Sequence, residues 1–148
     1  MKGPILIASD HAGFPLKERL RAFLEARGVP VEDLGTKTEA SVDYPDFAKK
    51  VAGAISRGEA ERGILVCGSG LGMSMAANRF HGVRAALPYS EETARLSRAH
   101  NDSNVLALGS RTLDHALAER MLVIWLETPF EGGRHAMRVG KIDDTSCC

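Results

Sequence analysis

Three short runs of uninterrupted apolar residues constrain this chain most: Ile5-Leu6-Ile7-Ala8, Ile64-Leu65-Val66-Cys67 and Val105-Leu106-Ala107-Leu108. A strand with one wet face alternates apolar and polar residues. A run with no polar position needs cover on both faces, the condition of a parallel sheet between two helix layers. Between the runs the period changes to 3.6. Leu16, Leu20, Phe23 and Leu24 share one helix face, with Pro15 suited to the first turn and Gly28 to the end. Phe47, Val51, Ala54 and Ile55 repeat the pattern between Pro45 and Gly58. Leu113, Leu117, Met121, Ile124 and Trp125 form a third such stripe.

A shorter, weaker strand is expected over 29–34, a fourth strand over 83–87, and a short helix through Ala76, Ala77 and Asn78. Ser90 reads as the cap of a helix over 91–99. A last helix is expected over 133–141. Strands alternating with helices imply right-handed crossovers. The expected fold is one α/β domain over residues 1–142: a three-layer α/β/α Rossmann-like domain with a five-stranded parallel sheet and a C-terminal helix. Residues 143–148 are expected to form a flexible tail.

Charge and cysteine content narrow the function. Nineteen basic and nineteen acidic residues cancel, so no bulk basic surface is available for nucleic acid. Three cysteines, two of them at positions 147 and 148, make no disulfide framework and fit a reducing cytoplasm. The one early apolar run is cut by Asp10, too short for a signal peptide or a membrane span.

In a sheet of this kind ligands bind beyond the carboxyl ends of the strands. Ser9-Asp10-His11-Ala12-Gly13 follows the first strand. Asp10 and His11 suit a hydroxyl and an anion there, or Asp10 simply caps the coming helix. Cys67-Gly68-Ser69-Gly70-Leu71-Gly72-Met73-Ser74 follows the third. Its glycines let backbone N–H groups approach an anion, and the next helix adds its positive end. Met73 stands where a dinucleotide fingerprint needs glycine, and no Gly-Lys-Ser/Thr follows, which disfavours hydride enzymes and ATPases. Cys67 is either a small buried hydrophobe or a base or nucleophile activated by the helix end. His100 is a helix-dipole partner or a proton carrier. Arg111 follows the fifth strand. Arg134 and Arg138 lie four apart on one helix face, either solvated or paired by a phosphate. No cluster has convincing metal-ligand spacing, so no metal is expected.

Taken together, these segments carry a resemblance. Ser-Asp-His-Ala-Gly at 9–13, Asp43-Tyr44-Pro45, Cys-Gly-Ser-Gly-Leu-Gly-Met-Ser at 67–74, Ala-Ala-Asn-Arg at 76–79, the run from His100 to Arg111, and Glu-Gly-Gly-Arg-His at 131–135 stand in one order. The chain closely resembles the type B ribose-5-phosphate isomerases, which share a family with galactose-6-phosphate isomerase subunits. The resemblance implies a cofactor-free aldose–ketose isomerase working through a cis-enediolate. It implies Cys67 as base, His100 as the ring-opening residue and Ser69 as a proton carrier. Asp10 and Tyr44 would hold the sugar and Asn101 a hydroxyl. Gly68, Gly70, Leu71, Gly72 and Ser74 would line the anion hole. His11, Arg111, Arg134 and Arg138 would hold the phosphate. A branch that uses a glutamate at the place of Met73 is excluded by the residue found.

The resemblance also implies a homodimer with shared active sites, some relatives pairing again into tetramers. It leaves open an isomerase of six-carbon aldose 6-phosphates, such as allose or galactose, and a non-catalytic sugar-phosphate-binding protein. A cysteine hydrolase or redox protein would use the same thiol, but no Cys-x-x-Cys accompanies it.

Overall fold

The computed structural model describes residues 3–146. The elements run β1 (Ile5–Ser9), α1 (Phe14–Ala26), β2 (Val31–Asp33), α2 (Tyr44–Ser56), β3 (Gly63–Cys67), α3 (Leu71–Ala77), β4 (Ala85–Ala86), α4 (Glu91–Ala99), β5 (Val105–Gly109), α5 (His115–Glu127) and α6 (Arg134–Asp143). The strands form one all-parallel sheet in the order β2-β1-β3-β5-β4. The three apolar runs are its central strands, and every residue in them is buried.

Alternate residues face opposite layers. Ile5, Ile7, Ile64, Val66, Leu106 and Leu108 pack with Leu16, Leu20 and Leu24 of α1, Ala94 of α4, and Met121 and Trp125 of α5. Leu6, Ala8, Leu65 and Cys67 pack with Val51 and Ile55 of α2 and Met73 and Ala77 of α3. The chain crosses from β1 to β2 over one face and from β2 to β3 over the other. The adjacent carboxyl ends of β1 and β3 therefore form a topological switch point.

Both edge strands are shorter than their sequences suggest. β4 has two residues, where 83–87 was expected. The Arg84 N–H donates to the Asn104 side chain, and the Asn78 side chain both donates to and accepts from the backbone of Ala85. The Asn78 side chain thereby occupies the outer edge and closes it to further pairing, while Asn104 lies on the β5 side. β2 spans three residues rather than six. α2 starts at Tyr44, one residue before the expected Pro45, which sits in the first turn.

α6 runs to Asp143, beyond the expected end, so Asp143 does not belong to a flexible tail. Its carboxylate lies 2.7 Å from the Arg84 guanidinium, which ties the helix end to the start of β4. Cys147 and Cys148, expected in the tail, lie outside the described residues. No helix among the described residues is long and apolar enough to cross a membrane.

Candidate active site

The loops after β1 and β3, the start of α2 and the turn after β5 enclose a pocket of about 510 Å³. Its walls include Asp10, His11, Tyr44, Cys67, Ser69 and Arg111.

Each side chain is set by its own loop. Asp10 is buried and its Oδ1 accepts from the Gly13 N–H at 2.8 Å. Gly13, not Asp10, is the N-cap of α1, and no side chain caps that helix; the Asp10 carboxylate closes the turn before it and also lines the pocket. His11 Nδ1 accepts from the Val42 N–H at 3.1 Å. In the neutral ring that bond leaves the proton on Nε2. The Cys67 Sγ accepts from the Gly70 N–H at 3.1 Å, which fixes the thiol direction at the end of β3. Arg111 passes along Gly68, where a Cβ would lie 3.6 Å from the arginine Cδ.

Two glycines shape the loop. Gly70 takes a left-handed φ of 79° at the start of α3, a conformation that disfavours side chains. At Gly72 a Cβ would fall 2.5 Å from the Tyr44 ring. The missing side chain lets Tyr44 lie against the loop and wall the pocket. Among the described residues, the N–H groups of Gly68, Ser69, Gly72 and Met73 make no hydrogen bond. Such groups can receive developing negative charge. The Ser69 hydroxyl accepts from the Leu71 N–H at 3.3 Å, and Ser74 donates to the Leu71 carbonyl at 2.8 Å. Met73 is fully buried in the core beneath the loop. Thr112 and Ala12 also line the pocket. No chemical pattern in the sequence marks either.

The remaining expected residues are elsewhere. His100 and Asn101 follow α4 and precede β5, so they sit at the amino edge of the sheet. Cys67 pairs with Gly109, at the far end of that strand, so the length of β5, about 13 Å, separates the two levels. Arg134 and Arg138 are exposed on α6, which packs at the same amino edge. The arginines thus sort into two groups: Arg111 with the cysteine, Arg134 and Arg138 with His100.

The amino edge has its own order. The His100 and His135 rings stack 4.1 Å apart and 8° from parallel. Glu131 Oε2 lies 3.7 Å from His100 Nε2 and 3.5 Å from His135 Nε2. Burial, the neighbouring His100 ring and Arg134 lower the His135 pKa from its ordinary value, with Glu131 opposing. Ligand atoms of these three residues lie within 4.8 Å of one another. Two imidazoles on one tetrahedral ion turn their lone pairs toward a common point. Parallel rings aim them side by side, so the arrangement suits a proton better than a metal. Glu131 and His135 were not among the expected site residues.

Comparison with known proteins bears on the chemistry. A family model described as Ribose/Galactose Isomerase matches residues 5–142. Ribose-5-phosphate isomerase B of Escherichia coli (strain K12) is 48% identical over 138 residues, 93% of each chain. A crystal structure of a ribose 5-phosphate isomerase from Thermotoga maritima aligns with a TM-score of 0.93 and 52% identity, covering 97% of this chain and 99% of that one. The ribose-5-phosphate isomerase B of Mycoplasma genitalium, solved with bound ribulose-5-phosphate, aligns at 0.92 with 43% identity over 97% and 95% of the two chains.

Proposed function

The chain belongs to the ribose/galactose isomerase family, and from that premise we propose that it interconverts ribose 5-phosphate and ribulose 5-phosphate. The observation that carries this reading is the pocket after β1 and β3. It joins a fixed thiol, unbonded N–H groups and the cationic Arg111.

The chemistry has three steps. Ring opening removes the proton from O1 of the furanose and delivers one to O4. His100 carries that proton, with Asp10 beside the sugar. The Cys67 sulfur then takes the C2 proton as general base and returns it to C1. Ser69 moves the proton between O1 and O2. The N–H groups of Gly68, Ser69, Gly72 and Met73 meet the enediolate oxygens as charge develops, with Gly70, Leu71 and Ser74 holding the loop in shape. His11, Arg111, Arg134 and Arg138 hold the phosphate, and Tyr44 and Asn101 the sugar hydroxyls. Anchoring the phosphate away from the reacting carbons keeps them oriented.

This assignment requires a second copy. His100 and Cys67 stand at opposite edges of one sheet, so one chain cannot bring both to one sugar. The proposal is a homodimer in which the amino edge of one copy, with His100, Asn101, Arg134 and Arg138, closes the pocket of the other. A cytoplasmic location, where the thiol stays reduced, fits it.

The test is ketose formation from ribose 5-phosphate in the presence of a chelator. The native protein turns over, and Cys67→Ala loses roughly 10³-fold in kcat. Turnover of six-carbon aldose phosphates alone would shift the substrate assignment. Undiminished turnover by Cys67→Ala would overturn the base.

A further inference from the structure

Resting on that reading, we propose that Glu131 and His135 are positioning residues for the ring-opening step, acting through His100. His100 has to accept a proton from O1 and surrender it to O4, so its ring must keep one orientation while its charge changes. The stack of the two rings fixes the plane of His100. His135 is itself held, because it is 7% exposed and sits in the first turn of α6, where its N–H donates to the Gly132 carbonyl. Glu131 is anchored from below, its backbone N–H donating to the Ala99 carbonyl at the end of α4 at 3.0 Å. The segment carrying the carboxylate is thereby tied to the segment carrying His100.

The charges fit the same task. Two imidazolium rings stacked 4.1 Å apart repel. Arg134 and Arg138 act against a proton on His135. The Glu131 carboxylate faces Nε2 of both rings and stabilises the imidazolium that exists between the two transfers. Neither side chain touches the carbons that exchange a proton with Cys67.

That separation gives the test. Ribulose 5-phosphate cannot close to a furanose, because its C5 oxygen carries the phosphate. Uptake of solvent deuterium at its C1 therefore reports the base and the enediolate without ring opening, whereas net conversion of ribose 5-phosphate needs all the steps. Glu131→Gln is expected to slow net conversion roughly fivefold, the scale of one half-exposed charge partner, and to leave deuterium uptake near native. His135→Ala should show the same split, and His135→Phe, which restores a flat ring, should recover part of the lost rate. A parallel fall of both rates, or no change in either, would overturn the proposal. Native protein that converts neither sugar and takes up no deuterium would instead overturn the isomerase reading itself.

Discussion

The two edges of the sheet were built by different means. At the carboxyl edge, backbone geometry makes the pocket: a left-handed Gly70, a Gly72 that admits Tyr44, and loop hydrogen bonds that aim Cys67 and His11. At the amino edge, side chains do the work through a stacked histidine pair, a bridging carboxylate and exposed arginines. The first is a pocket that holds a thiol beside an arginine. The second gathers two stacked histidines and a glutamate. A reaction that needs both draws on surfaces that one chain keeps apart.

If the edges are independent parts of one site, damage to the scaffold should separate from damage to the chemistry. The largest scaffold effect is expected at Lys17, which is fully buried with Asp33 2.6 Å from its Nζ. Asp33→Asn should cost about 2 kcal/mol, less than a fully enclosed pair because Glu18 remains as a second partner. The kcat of the folded fraction should not change. Burial works to raise the Asp33 pKa, but Lys17, Lys37 and the Gly35 N–H together hold it below the ordinary value. Its contribution is therefore present at neutral pH and lost as pH falls through the folded value. Denaturant midpoints of native protein and variant should draw together as pH falls below about 4 and meet once it lies below the folded Asp33 value. A gap that persists there would assign the loss to packing instead.

A smaller effect sharpens the comparison directly. Arg111→Ala and Arg138→Ala should each raise KM for ribose 5-phosphate roughly tenfold, as for a charge-assisted bond to phosphate. Initial-rate kinetics on both variants checks this. An unchanged KM in Arg138→Ala would detach the amino edge from the site.

Much of this was legible in the residues. Uninterrupted apolar runs identified the central strands, because only a doubly covered strand tolerates them. The loops after β1 and β3 could be picked out because ligand sites follow strand ends. β4 was overestimated, since the Asn78 and Asn104 side chains take backbone groups of Arg84 and Ala85, which periodicity does not record. Nothing local in the sequence announces that Lys17 is buried or that its partner lies sixteen residues on. The position of His100 followed from topology rather than motif. A helix between parallel strands ends at the amino edge, so residues after α4 lie opposite those after β3. The Glu131–His135 contact to His100 depends on how α6 returns to α4, which no spacing encodes.

The shared site is tested most directly by mixing two inactive proteins. Cys67→Ala lacks the base, and His100→Asn lacks the proton carrier. Unfolded together and refolded as an equal mixture, they form mixed dimers with one site in which both native residues meet. The account predicts recovery of roughly a quarter of native activity, since half the dimers are mixed and each has one intact site of two. Activity no greater than the sum of the separate variants, with mixed dimers demonstrably formed, would contradict it.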